Sequence, residues 1–217
     1  MEENKIVDEF WEGRAEIEDA RLATQFREDN SLSYDVALVK QYLPNNARIL
    51  DLGCGTCTLT NELIPYASYI RGVDKQPGLL KFSKGGENFE TIVGDISEYR
   101  DDKKYDVILI VGVLQYIKND KTIENIYNNC KHMLADNGYL IVKQQSGVEE
   151  DIEVNQYSEH LKVNYYSLYR HKNKDEALLR NQGFDVEIID IYPSNMNHWS
   201  NTHHYAYIAK KSKKLSL

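Results

Sequence analysis

The sequence is short of cysteine, short of positive charge and free of long apolar runs. Its 217 residues hold three cysteines, Cys54, Cys57 and Cys130. So small and odd a number supplies no disulfide framework. Cys54-x-x-Cys57 has no second cysteine pair to complete a zinc site, and a dithiol redox role gives way to a better use of the same turn. Twenty-six Lys and Arg against 34 Asp and Glu leave a net charge of −8. That balance lacks the positive field a sequence-independent nucleic-acid binder needs along the phosphates. No apolar stretch approaches the roughly twenty residues that span a bilayer. The acidic start, Met1-Glu2-Glu3-Asn4-Lys5, lacks the apolar centre of a signal peptide. The expectation is a cytoplasmic protein with no membrane partner and no nucleic-acid partner.

What is present is enough for a core: 41% of residues are hydrophobic and 28% are charged, so the chain reads as one folded domain. In the polar first thirty residues Ile6, Phe10, Ile17, Ala20 and Ala23 recur at roughly helical spacing and predict one or two short helices. A further helix starts near Tyr34 and ends at Lys40 to Leu43, before Pro44. From residue 47 the pattern changes to short apolar runs: Ala47 to Leu52, Tyr69 to Asp74, Thr91 to Val93, Asp106 to Val111 and Tyr139 to Val142. Such near-continuous runs are strands buried on both faces of a parallel sheet. Val186 to Tyr192 and Tyr205 to Ala209 add two more. Between Asp120 and Leu134, Ile123, Ile126, Tyr127, Cys130, Met133 and Leu134 share one helical face, and Asn137-Gly138 is expected to stop that helix. Strand and helix alternating in this rhythm predict a doubly wound α/β sheet. Gln144 to Asn181 reads as irregular, acidic and then tyrosine-rich. The basic tail Lys210-Lys211-Ser212-Lys213-Lys214 reads as a solvated end.

In an open α/β sheet, ligands bind at the carboxyl ends of the strands where strand order reverses. The first strand ends in Asp51-Leu52-Gly53-Cys54-Gly55-Thr56-Cys57. Gly53 and Gly55 allow a tight turn and close approach of a ligand to the main chain. Asp74 ends the second strand, and a carboxylate there can accept both hydroxyls of a ribose. Turn and acid together indicate a nucleoside. A dinucleotide fingerprint needs a third glycine at position 58, which is Thr58, and the Gly-Lys-Ser/Thr ending of a phosphate loop is absent. Asp51 would repel a pyrophosphate and attract an ammonium. The expected ligand is a nucleoside bearing a positive amino group and no phosphate, a description that S-adenosylmethionine fits.

Ile49-Leu50-Asp51-Leu52-Gly53-Cys54-Gly55-Thr56 resembles the first motif of the class I S-adenosylmethionine-dependent methyltransferases, and Phe10 to Ala15 resembles an N-terminal segment seen in many members that act on small molecules. Gly72-Val73-Asp74, Val93-Gly94-Asp95-Ile96, Tyr105-Asp106-Val107-Ile108 and Met133 to Leu140 resemble the family's later blocks, in order. The resemblance covers roughly residues 40 to 145. Cys57 departs from it, standing where the family usually has a glycine. The resemblance implies a Rossmann-like, mostly parallel seven-stranded sheet with helices on both faces and an N-terminal helical segment. It divides one domain, 1–217, into an N-terminal helical cap (1–45), a cofactor-binding core (46–145), a substrate-side lid (146–182) and final strands with a basic tail (183–217). It further implies that Asp51, Gly53, Cys54 and Gly55 line the methionine half of the cofactor and that Asp74, beside Lys75, holds the ribose. Asp95 and the Ile96 backbone would meet the adenine, and Val111 and Gly112 would pass beneath the sulfonium. Phe10-Trp11-Glu12-Gly13-Arg14 resembles the family's N-terminal Trp-x-x-Arg segment. Trp11 thus joins the cofactor site, and Arg14 could pair with the methionine carboxylate as a bidentate fork.

The methyl acceptor is less legible. Gln115-Tyr116 follows the fourth strand, where acceptor contacts often lie in this family. Gln144-Gln145 opens the loop after the fifth strand, followed by Tyr157, His160, Tyr165, Tyr166 and Tyr169. Asn197-His198-Trp199 and His203-His204 precede the last strand. Tyr116 and His198 are the catalytic candidates, histidine because it titrates near neutrality; Gln115, Tyr116, Gln145, Tyr166 and His198 are the substrate-binding candidates. No metal is expected, because the fourth strand ends in Val111-Gly112 rather than in an acid. The favoured function is transfer of a methyl group from S-adenosylmethionine to an oxygen or nitrogen of a small metabolite, such as a sugar or glycan precursor, with S-adenosylhomocysteine as product. An RNA or protein methyltransferase is the alternative; Val111-Gly112-Val113-Leu114-Gln115 lacks the prolines of the enzymes that methylate DNA base amino groups. A non-catalytic S-adenosylmethionine-binding module is a third reading.

Overall fold

The computed structural model describes residues 2–24, 30–159, 161–197 and 199–213. Three helices lead in: α1 (Glu2–Ala15), α2 (Ala20–Thr24) and α3 (Ser31–Lys40). There follow β1 (Ala47–Leu52), α4 (Thr58–Leu63), β2 (Ala67–Asp74), α5 (Pro77–Leu80), β3 (Phe89–Val93), β4 (Tyr105–Val111), α6 (Asp120–Met133) and β5 (Leu134–Gly147). The chain continues through β6 (Ile152–Ser158), β7 (Val163–Tyr169), α7 (Lys172–Asn181), β8 (Phe184–Asp190) and β9 (Thr202–Lys211). Seven strands form one sheet in the order β3-β2-β1-β4-β5-β9-β8. The first five are parallel, and β9 runs antiparallel to both its neighbours. Strand order therefore reverses between β1 and β4.

Both faces of the sheet are buried, as the apolar runs require. Side chains alternate between faces along each strand. Leu50, Leu52, Ile108, Ile110, Leu140 and Val142 meet Ile123, Ile126, Tyr127, Cys130 and Met133 of α6 on one face. Ile49, Val107, Leu109 and Ile141 meet Leu38 and Val39 of α3 and Leu63 of α4 on the other. The predicted apolar stripe of α6 is thus the stripe that meets the sheet.

Two expectations need correction. Helix α6 ends at Met133, before Asn137-Gly138, and the chain passes directly into β5. Tyr105 pairs with Leu134 but Val107 pairs with Tyr139, so Asn137 and Gly138 lie in an irregularity of the strand rather than at a helix cap. A methyl group at Gly138 would stand 2.8 Å from the Asp106 carbonyl oxygen and 3.0 Å from that of Tyr105; backbone approach explains the glycine. The second correction concerns residues 144–181. They are not irregular: β5 runs on to Gly147, β6 and β7 form a separate antiparallel hairpin, and α7 follows. The hairpin escaped the alternation test because β7 buries four consecutive residues, Tyr165 to Leu168. Helix α1 covers one of its faces, with Phe10 edge-on to Tyr165 at 5.3 Å. Among the described residues no helix is long and apolar enough to cross a membrane.

Arg170, buried between β7 and α7, fastens the segment after β4. Its Nε donates to Asp120 at 2.8 Å, and its other nitrogens donate to the carbonyls of Leu114, Ile117 and Lys118. A buried carbonyl left without its donor costs roughly 1–3 kcal/mol. Arg170→Met is expected to lower unfolding free energy by about 2–4 kcal/mol in urea titrations; a loss under about 0.5 kcal/mol would show that the segment is held by other means.

Candidate functional site

The carboxyl ends of β1, β2 and β4 open on the point where strand order reverses, and the glycine turn after β1 lies there. Gly53 has φ +77° and Gly55 φ +52°. A methyl group on Gly53 would overlap Val113, so the first glycine is required both by conformation and by space. The Gly53 amide donates to the Val73 carbonyl at 2.7 Å, which ties the turn to β2. The Gly55 amide donates to Asp74 Oδ2 at 2.8 Å and the Gln76 amide to Asp74 Oδ1 at 2.9 Å. Asp74 is thereby held in place by main-chain donors. Burial raises its carboxyl above the ordinary value, and these amides work in the opposite direction.

Cys57 begins α4 with φ +57° and is fully buried. The left-handed backbone accounts for the glycine that the resembled family usually has here. Its sulfur lies 3.7 Å from that of Cys54 and both are free thiols. The contact with Cys57 and burial push the Cys54 thiol far upward, which removes the thiolate that redox chemistry needs.

Two further carboxylates line the same cavity as Asp74. Asp51, 3% exposed, accepts from the Thr60 hydroxyl. Burial pushes its carboxyl up to about 6 despite that bond. Asp95 follows β3 and accepts from the Ser97 amide at 2.8 Å and the Ser97 hydroxyl at 2.7 Å. Lys75 stands 3.8 Å from Asp95 and 2.8 Å from Asp8 of α1, so the first helix is linked by charge to this end of the site. The hydrogen bond to Asp8 is the main cause of a raised Lys75 pKa.

One cavity of about 1220 Å³ joins these groups. Trp11, Asp51, Gly53, Cys54, Gly55, Asp74, Lys75, Asp95, Ile96, Val111 and Gly112 all line it. Arg14 does not. Its Nε donates to the Ala23 carbonyl at 2.9 Å and its guanidinium also reaches the Leu22 carbonyl; it braces α2 against α1, off the cavity wall.

Gln115, Tyr116 and Gln145 also line the cavity, together with Tyr165 and Tyr169. The Tyr116 and Tyr165 hydroxyls are 3.3 Å apart, and those of Tyr165 and Tyr169 3.5 Å. Burial pushes Tyr116 up to about 12, so at neutral pH it is a phenol and not a phenolate that could take a proton. Tyr166 is buried away from the cavity wall, because neighbouring residues of a strand face opposite sides and Tyr165 and Tyr169 hold the cavity side. His204 lines the cavity; His203 instead stands 3.4 Å from Asp190. His160 and His198 lie outside the described residues.

Sequence reasoning missed Asp35, Lys143 and Tyr192. They come from α3, β5 and the segment after β8, and all three line the cavity. Lys143 Nζ donates to Asp35 Oδ2 at 2.9 Å and to Tyr192 Oη at 2.7 Å, while Tyr192 donates to Asp35 Oδ1 at 2.8 Å. Burial opposes the lysine charge, yet Asp35 and Tyr192 outweigh it and hold the ammonium above its ordinary pKa. A lysine directly after Tyr139-Leu140-Ile141-Val142 was the available signal, since a charge that extends a buried strand needs a partner.

Residues 50–140 match the family model described as a methyltransferase domain. Nodulation protein S of Sinorhizobium fredii is 25% identical over 96 residues, 42% of this chain and 44% of that protein; the chain thus aligns with under half of that relative's length. Carboxy-S-adenosyl-L-methionine synthase of Campylobacter concisus is 28% identical over 171 residues, 69% of this chain and 68% of that protein. Among solved structures, phosphoethanolamine N-methyltransferase 1 of Haemonchus contortus, in complex with phosphoethanolamine and S-adenosylhomocysteine, superposes with a TM-score of 0.74 at 18% identity, covering 98% of this chain and 50% of that one.

Asp51 carries a pH signature of its own. Its carboxyl binds a proton more tightly in the folded chain, at about 6, than at the ordinary value of 3.8. Its contribution to stability is therefore complete below about pH 4 and is lost as pH rises through about 6. The difference corresponds to about 3 kcal/mol. Urea titrations without added ligand should show this decline between pH 4 and 7 in the unaltered protein and not in Asp51→Asn; parallel profiles would show that Asp51 is ionised throughout.

Proposed function

We propose that the chain is a class I S-adenosylmethionine-dependent methyltransferase and that it methylates an oxygen or nitrogen of a small metabolite. The observation that carries this reading is the single cavity of about 1220 Å³ running from Asp74 and Asp95 to Tyr116, Tyr165 and Tyr169. Pockets for one small molecule hold roughly 300–1000 Å³, so there is room for a methyl donor and an acceptor side by side.

The residues fit the donor. Gly53 and Gly55 leave the main chain open to close approach. Asp74, fixed by the Gly55 and Gln76 amides, takes the ribose hydroxyls on its remaining lone pairs. Asp95 and the Ile96 backbone take the adenine, with Lys75 and Trp11 covering it from the side of α1. Asp51 takes the ammonium, while Cys54, Val111 and Gly112 form the wall beside the methionine. Bound there, S-adenosylmethionine supplies a methyl group already activated by its sulfonium and leaves as S-adenosylhomocysteine.

What the chain must supply is alignment and exclusion of water. Holding two reactants in line is worth roughly 7–11 kcal/mol. Tyr116, as a neutral phenol in a chain of tyrosine hydroxyls, orients the acceptor from one side; Gln115 and Gln145 approach it from others. Helix α1 and the β6–β7 hairpin form the cover, a cap over the donor and a lid over the acceptor, joined where Phe10 meets Tyr165 at 5.3 Å, while Trp11 meets Tyr116 of the segment after β4, also at 5.3 Å. The net charge of −8 supports a metabolite over RNA.

Donor affinity should follow the charge of Asp51. The ammonium favours the ionised carboxylate, so affinity for S-adenosylmethionine should fall as pH drops below about 6, approaching tenfold per pH unit, and Asp51→Asn should flatten this dependence. Asp74→Ala should weaken binding at least about tenfold, since it loses charge-accepted hydrogen bonds worth roughly 1.5–3 kcal/mol. Calorimetry from pH 5 to 8 reads both. Transfer of labelled methyl groups to a panel of hydroxy and amino metabolites tests the acceptor class; labelling of RNA or protein in preference would contradict it.

A further inference from the structure

The donor reading leaves unused the buried group of Asp35, Lys143 and Tyr192. Three separate elements converge to build it. The Lys143 and Asp35 side chains are 12% and 10% exposed, and their charges lie 2.9 Å apart. An ammonium has three N–H donors. Asp35 and Tyr192 take two of them, and the third has no partner among the described residues. Lys143 is paired in register with Val111, and the Gly112 amide donates to the Lys143 carbonyl at 2.8 Å. The Lys143 backbone thus lies beside the end of β4, while its ammonium is held by Asp35 and Tyr192, and all three residues line the cavity.

Charge decides what it can hold. Asp35 already balances Lys143. An anionic ligand group would add a second negative charge beside Asp35, and a cationic one would face Lys143. An uncharged oxygen meets neither cost and satisfies the open donor. Tyr157 and Trp199, 50% and 49% exposed, line the same cavity and offer flat apolar surface to the body of such a ligand.

We propose that Lys143, held by Asp35 and Tyr192, binds an uncharged hydroxyl or carbonyl oxygen of the methyl acceptor, and so selects a neutral, hydroxyl-bearing metabolite over a carboxylate or an amine. This narrows the acceptor class and rests on the methyltransferase reading of the cavity.

The test uses three probes that share one ring: benzyl alcohol, benzoate and benzylamine. They are titrated into protein saturated with S-adenosylhomocysteine, and the nitrogen-15 signal of the Lys143 ammonium is followed by NMR. Benzyl alcohol should shift that signal and bind at least about fivefold more tightly than the two charged probes. The doubly substituted Asp35→Asn, Lys143→Met protein removes both charges together and so avoids stranding one of them. It should keep its affinity for S-adenosylhomocysteine within about twofold and lose the preference. Equal or tighter binding of benzoate or benzylamine, no probe moving the Lys143 signal, or a preference surviving in the double variant would overturn the proposal. The probe series on the unaltered protein decides the matter even if the double variant does not fold. Failure of S-adenosylhomocysteine itself to bind would instead remove the donor reading.

Discussion

The Asp74 carboxylate, held by two main-chain amides, is the interaction on which the rest of the site depends. One of those amides belongs to Gly55, in the turn after β1, and the other to Gln76, just beyond β2. A side chain on β2 thus shapes the turn of its neighbour. The turn in turn needs positive φ at Gly53, Gly55 and Cys57 to present its backbone toward the cavity. A carboxylate fixed by backbone donors cannot swing away, so its free lone pairs are preorganised for a ligand's hydroxyls.

Burial sets the other charges to different tasks. Asp51 lies deep enough that its carboxyl sits near 6, so near neutrality it is poised to respond to a cation. Asp95 stands nearer solvent beside Lys75. Asp35 and Lys143 neutralise one another at 2.9 Å, so that part of the cavity wall carries little net charge and keeps one spare donor. The polarity of the cavity therefore differs between the acids around the proposed nucleoside and the phenols and compensated ion pair around the proposed acceptor. Such a difference suits a donor that is itself positively charged and an acceptor that is not.

Most of the fold could be read from the sequence because parallel strands buried on both faces write near-continuous apolar runs, and β1 and β4 do so plainly. The amphipathic stripe of α6 was equally open. The β6–β7 hairpin was not, since its packing partner, α1, lies some 150 residues earlier and no local pattern reports it. The same limit applies at the site. The residues assigned to the donor sit in contiguous motifs at strand ends, so local sequence points to them. Asp35, Lys143 and Tyr192 are brought together from three distant elements, and only the lysine that continues the buried strand β5 gave a local sign. Arg14 and Tyr166 show the reverse case: the family resemblance nominated one and the tyrosine-rich stretch after the fifth strand the other, but main-chain carbonyls hold Arg14 off the cavity wall and strand alternation turns Tyr166 from it.

The account is tested most directly by a crystal structure of the protein with S-adenosylhomocysteine. It predicts ribose hydroxyls on Asp74, adenine beside Asp95 and Ile96, and the amino group within hydrogen-bond reach of Asp51, with open cavity remaining toward Tyr116 and Lys143. A ligand seated elsewhere, or one whose ribose leaves Asp74 untouched, would contradict it.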